Sequence, residues 1–173
     1  MLTPRFNHPD QDLQRYDTAQ VCPNGHVTNE RVETMPQFNK AFCEKCGEKT
    51  LTTCPTCSAS IRGDYLDSYG SRYTPPRHCN KCGHEFPWTE RRIKAAIDLF
   101  VDEVGEGSEQ GKEFEQSVRD LATDAPAAQV GANRIVRALK KLPAATASAI
   151  RDILVDIASE TIKKTVFPGT PPS

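Results

Sequence analysis

The sequence predicts an α+β protein: two small metal-stapled β ribbons in tandem, followed by an all-α region of about four helices. Two observations predict it. Seven cysteines and one histidine fall into four short pairs between residues 22 and 82. From Thr89 onward there is no Cys or His, and apolar residues recur at helical spacing.

The pairs are Cys22-Pro-Asn-Gly-His26, Cys43-Glu-Lys-Cys46, Cys54-Pro-Thr-Cys57 and Cys79-Asn-Lys-Cys82. Each is short enough to form a tight turn that points two ligands at one metal. A tetrahedral structural zinc takes four sulfur or nitrogen ligands, so eight candidates fill two sites. The order of the pairs is itself a repeat: a Pro-containing pair, then a CxKCG pair, then both again. This order favours a sequential grouping, with Cys22, His26, Cys43 and Cys46 on one zinc and Cys54, Cys57, Cys79 and Cys82 on the other. Each ribbon then closes through a short loop. The interleaved grouping, first pair with third and second with fourth, stays open. His26 stands where a second cysteine would otherwise be, whereas His78 and His84 read as residues flanking the last pair. Two full sites imply structural zinc, since a catalytic zinc keeps an open position, and no cysteine remains for nucleophilic or redox chemistry.

The chain divides into a polar lead over 1–20, a first ribbon over 21–53, a second over 54–88, a helical region over 89–167 and a disordered tail over 168–173. Thr89 offers an N-cap, and Ile93, Ala96, Ile97, Phe100, Val101 and Val104 mark the first helix. Gly105 and Gly107 end it and Ser108 caps the next, whose apolar stripe is Phe114, Val118, Leu121 and Ala122. Pro126 suits the first turn of a third helix with Val130, Ile135, Val136 and Leu139 apolar. A fourth helix is expected from Ala144 to Val166. Ile150, Ile153, Leu154, Ile157, Ala158 and Thr161 form its inner face, and Arg151, Asp152, Asp156, Glu160 and Lys163 the outer. Trp88 is read as a packing residue joining the two halves.

Function classes narrow by exclusion. The formal net charge is -1 and hydrophobic residues make up 37%, which gives no global pull toward nucleic acid or an anionic membrane. The first residues have no apolar stretch of signal-peptide type, and no run approaches the ~20 apolar residues of a membrane span. A cytoplasmic protein is expected, and in a reducing compartment CxxC pairs point to metal rather than disulfides. The last helix carries acids and bases alike on its polar face, which argues against membrane binding. Residues 98–124 hold nine acids and residues 131–164 seven bases, read as mutual attraction between neighbouring helices. Arg62, Tyr65, Tyr69, Arg72, Tyr73 and Arg77 could grip a nucleic-acid backbone and stack bases. The favoured reading is a ribbon loop whose tyrosines pack and whose arginines meet Asp64 and Asp67. There is no HExxH, phosphate loop or dinucleotide fingerprint. The expected function is therefore a non-enzymatic adaptor that contacts an unidentified protein partner, with self-association through its helices. The alternatives are a nucleic-acid-binding ribbon protein and an accessory subunit of a larger enzyme.

The strings AQVCPNGHVTN, FCEKCGEKT, CPTC, IRGDY, YTPP, HCNKCG and FPWTE together resemble a bacterial family of double zinc-ribbon proteins known as a domain of unknown function. The resemblance covers about residues 15–104 and, more loosely, IRDILVDIASETIKK. It implies zinc ligation by Cys22, His26, Cys43, Cys46, Cys54, Cys57, Cys79 and Cys82, implies a shared contact surface at IRGDY and FPWTE, and implies no activity.

Overall fold

A computed structural model describes residues 16–66, 73–123 and 126–167. The chain forms two compact units, Met1–Trp88 and Thr89–Ser173. The first carries small antiparallel β pairings and the second helices, an α+β arrangement.

In the ribbon unit, residues 16–21 form the shared spine. Strand β1 (Tyr16–Thr18) pairs antiparallel with β4 (Arg62–Tyr65), and β2 (Gln20–Val21) pairs antiparallel with β3 (Val27–Asn29). Between them, Ala19 donates to Ile61 O at 2.8 Å, and Val21 and Leu51 exchange backbone bonds of 2.9 and 2.8 Å. The spine thus bonds to segments of both ribbons. Tyr16–Thr18 and Gln20–Val21 are strand residues, and Ala19 and Val21 are fully buried. Their small apolar side chains fill a core completed by Ile61, Phe86 and Trp88. Trp88 lies in this core, stacked on Phe86 with centroids 4.6 Å apart and its indole N–H donating to Pro76 O at 2.9 Å, which satisfies its one polar group.

The β1–β4 pairing depends on Gly63. A Cβ there would lie 2.5 Å from Glu30 O, 2.6 Å from Asp17 O and 2.7 Å from the Thr18 carbonyl carbon. These are backbone atoms held in the pairing, so no flexible group can yield.

The helical unit contains, among the described residues, α1 (Pro87–Val104, its first turn counted with the ribbon unit), α2 (Glu109–Ala122), α3 (Ala128–Leu139), α4 (Ala144–Ile157) and the short α5 (Glu160–Val166). Its core joins Ile93, Ala96 and Phe100 to Phe114, Val118 and Leu121, then to Ile135, Leu139, Ile150, Leu154 and Ile157. The Phe100 and Phe114 rings stack at 3.9 Å. Ser108 caps α2 by accepting from Gly111 N at 3.1 Å.

Four local expectations are corrected. The first helix starts at Pro87, because proline needs no partner for an amide at a helix start; Thr89 lies inside it, fully buried. Val130 is 52% exposed: it sits five residues from Ile135, about 140° around the helix, and the buried stripe runs instead through Ala128, Ala132, Ile135 and Leu139. The helix expected over 144–166 breaks at Ala158 and Ser159, both extended, where the Ser159 side chain caps α5. That break shifts the register, so Ile162 and Lys163 are buried while Thr161 is exposed.

Replacing Gly63 by Ala is expected to cost about 2–4 kcal/mol, since overpacking against fixed backbone has no cheap relaxation. Denaturant unfolding of the ribbon unit measures it; a loss below about 1 kcal/mol contradicts the close approach.

Candidate metal centre

Each of the four ligand pairs sits on a hydrogen-bonded turn, and three of the turns are built the same way. In those three the first cysteine's amide bonds a carbonyl five residues on: Cys43 to Glu48 O, Cys54 to Ala59 O and Cys79 to His84 O, at 2.7–2.8 Å. Its carbonyl accepts from the residue four on, Gly47, Ser58 or Gly83. The CPNGH turn is one residue tighter, with Cys22 N bonding His26 O at 3.0 Å and Gly25 N bonding Cys22 O at 2.8 Å. Closing such a turn requires a left-handed residue. Gly47 and Gly83 have φ of 73° and 75°, and at the third turn Ser58 holds φ 60°, a conformation that costs a residue with a Cβ.

The turns bring the ligands together in the sequential grouping. Cys22, His26, Cys43 and Cys46 form one cluster and Cys54, Cys57, Cys79 and Cys82 the other, with the ligand atoms of each cluster within 4.8 Å of one another. In the first, His26 Nδ1 lies 3.5 Å from both Cys22 Sγ and Cys43 Sγ, and Cys22 Sγ lies 3.6 Å from Cys46 Sγ. In the second, Cys54 and Cys82 are 3.8 Å apart and Cys57 and Cys79 3.6 Å. A tetrahedral centre with metal–sulfur bonds of about 2.3 Å and a metal–nitrogen bond of about 2.0–2.1 Å has S···S edges of about 3.8 Å and S···N edges of about 3.6 Å. The ligand cages fit such an ion. They do not fit disulfides, whose sulfurs stand about 2.05 Å apart, and all seven cysteines are free. Both clusters can hold a metal ion, and each offers four protein ligands. His78 and His84 belong to neither cluster; His78 Nε2 lies 3.8 Å from Glu85.

Backbone amides prepare the sulfurs for charge. The amides of His26 and Asn24 point at Cys22, but burial outweighs them and pushes that thiol up. The Glu48 amide, then the Asn24 side chain, draw Cys46 down to about 6. Burial opposes ionisation of Cys79, yet the amides of Cys82 and Lys81 and the neighbouring thiols bring it to about 6. Cys57 receives the Ala59 amide but faces Cys82, Cys79 and Cys54, and is pushed up to about 12. Four crowded thiols without a cation share protons unequally, whereas a bound metal takes them all as thiolates.

The basic and aromatic residues of the third-to-fourth pair interval are partly gathered. Tyr16, Arg62, Tyr65, Tyr73 and Pro76 line a cleft of about 470 Å³ with Asp64, His78 and Asn80. Its groups are engaged with one another. The Arg62 guanidinium stands 3.9 Å over the Tyr16 ring, Tyr16 and Tyr65 meet edge to face at 5.1 Å, and the Tyr73 hydroxyl donates to Arg62 O at 2.6 Å. Burial pushes the Tyr73 phenol above its ordinary range. Asp64 pairs with Arg31 at 2.7 Å. Arg77 is half-buried outside this lining. Tyr69, Arg72 and Asp67 lie outside the described residues, as do the first 15 residues and the tail over 168–173.

A family model described as "Uncharacterized protein conserved in bacteria (DUF2321)" matches residues 15–166. The chain belongs to that family. Among curated proteins, a stretch of 70 residues is similar to the PDZ and LIM domain protein Zasp of Drosophila melanogaster, at 31% identity; it covers 38% of this chain and 3% of that protein. No solved structure matches the chain.

Sequence reasoning missed a second set of residues beside the first cluster. Asp17, Gln20 and Asn29 are buried polar side chains at 5%, 8% and 7% exposure. Asp17 accepts from the amides of Thr18, Glu33 and Thr34 and from the Thr34 hydroxyl, at 2.6–3.0 Å. Burial alone would raise its carboxyl, but these bonds outweigh it and hold it below the usual range. Asn29 donates to Met35 O at 2.9 Å and to the Asn39 side chain at 2.7 Å, and Gln20 accepts from Lys40 N at 2.7 Å. Their only signal in the sequence was polar residues interrupting a strand pattern.

Two outcomes test the centre. Ser58→Gly should raise the stability of the metal-loaded ribbon unit by up to about 1 kcal/mol, and Gly83→Ala, with open space around its Cβ, should lower it by about 1 kcal/mol; equal effects in denaturant titration contradict the turn geometry. Chelation should remove amide-exchange protection across residues 16–86 and leave it in α2–α4, whose core contains no ligand; protection retained in both halves contradicts a metal-dependent ribbon.

Proposed function

We propose that the protein is a zinc-stapled docking module whose first ribbon presents a rigid apolar patch to a partner protein. Zinc is favoured by the ligand chemistry: thiolate-rich tetrahedral sets suit zinc, and four protein ligands per ion leave no open position, which makes the metal structural. The ribbons' small cores gain their stability from such an ion.

The observation that carries the docking function is the segment between His26 and Cys43. Met35, Phe38 and Phe42 are 39%, 53% and 61% exposed, three of the four large hydrophobic residues exposed among the described residues. This segment is not loose. Asp17, Gln20 and Asn29 pin its backbone, and Thr50 bonds the carbonyls of Lys40 and Ala41. Holding apolar side chains outward on a fixed backbone weakens solubility and adds nothing to the core, but it lowers the ordering cost of binding a partner. Met and aromatic residues are also those enriched at protein interfaces. The fourth exposed residue, Val130 on α3, stands alone, so self-association through the helices has less support than docking through the ribbon.

Nucleic acid is the weaker reading. In the tyrosine-lined cleft Arg62 already covers Tyr16, and Asp64 shares the lining, which leaves little positive field for a phosphate backbone.

The paired substitution Phe38→Glu and Phe42→Glu should abolish capture of a defined partner from a bacterial extract, at least tenfold in recovery, while Val130→Glu leaves it intact. Partner capture that survives the double change refutes the docking surface.

A further inference from the structure

The helical unit contains a cleft of about 510 Å³ between α1, α2 and the C-terminal part of α3, well inside the range of small-ligand sites. Its base is the stacked Phe100–Phe114 pair, and Val104, Ala138 and Leu142 give it an apolar wall. On α3, the positions facing it are 134, 137 and 138, an i, i+3, i+4 stripe distinct from the buried stripe of the same helix, and Lys141 joins them from the turn that follows. Three of these positions are cationic. Arg134 approaches Glu113 at 3.6 Å. Arg137, on the last turn of α3, and Lys141, just beyond it, are exposed, with no anionic partner among the described residues.

Like charges lining one cleft repel. The acid-rich stretch does not relieve them. Glu103, the other carboxylate of the cleft, takes the Thr146 hydroxyl at 2.6 Å. Counting the lining, three cations against Glu103 and Glu113 leave one net positive charge. That balance suits a monoanion and opposes a dianion such as a phosphate ester. A charge at the mouth beside an apolar base calls for a ligand with the same division.

We propose that this cleft binds a small amphipathic monocarboxylate, its carboxylate between Arg137 and Lys141 and its apolar body along Val104, Ala138 and Leu142. All of the cleft's lining residues belong to the helical unit.

The test titrates the metal-loaded full chain with decanoate and, in parallel, with decanol and decyl phosphate, followed by amide chemical shifts. Decanoate should move the amides of Val104, Ala138 and Leu142 together and saturate. Affinity should fall about tenfold or more in Arg137→Glu/Lys141→Glu, the loss expected when charge-assisted bonds are removed. It should hold in Lys164→Glu, a single charge reversal on an exposed α5 residue outside the cleft lining. Circular dichroism checks that each variant keeps its helices. Should the double variant lose helix, Leu142→Trp, which fills the apolar wall without altering charge, replaces it and should also weaken decanoate. Decanol or decyl phosphate binding as tightly as decanoate, shifts scattered over the surface, or affinity unchanged by both variants would overturn the proposal.

Discussion

Everything in the ribbon unit depends on four turns that hold their donor atoms at the edges of two tetrahedra. Sulfurs 3.6–3.8 Å apart are too distant to bond and too close to carry charge unassisted. The unit has little else to hold it. Its buried apolar residues are few, and its strands are two to four residues long. A cation held at the centre of each cluster would convert that repulsion into attraction. The segment presenting Met35, Phe38 and Phe42 hangs between two ligands of the first cluster, so the cluster also fixes the ends of the patch.

The spine explains why two ribbons make one unit. Residues 16–21 bond in turn to β4, to Leu51 and to β3, so the strand that precedes the first ligand is completed by a strand that follows the sixth. Asp17 and Gly63 meet at this crossing. One anchors the 33–34 backbone through its carboxylate, and the other allows strands to approach where any side chain would collide. The helical unit has a different basis: a continuous aliphatic and aromatic core that needs no ion.

The ligands were legible because metal chemistry restricts both residue type and spacing. The repeated pair order signalled the sequential grouping, and the glycines after Cys46 and Cys82 signalled the left-handed turns. The helices were legible from apolar periodicity, with Ser108 and Gly105–Gly107 marking a boundary. Less was legible where tertiary bonds decide. Long-range pairing of Tyr16–Thr18 with Arg62–Tyr65 leaves no local signature. Ser159 acts as a cap inside what reads as one helix, because an N-cap serine and a mid-helix serine look alike in sequence. The acid-rich and base-rich stretches suggested helix-to-helix attraction. Arg134–Glu113 uses part of it, while Arg137 and Lys141 remain at a cleft that composition cannot reveal.

The most direct test of the central claim is cadmium-113 substitution with proton correlation spectroscopy, which reads the ligands of each ion individually. The account predicts two cadmium signals. One should couple to the β-protons of Cys22, Cys43 and Cys46 and to the His26 ring, the other to Cys54, Cys57, Cys79 and Cys82. A single signal, a signal joining cysteines of the first and third pairs, or a first site without His26 would contradict it.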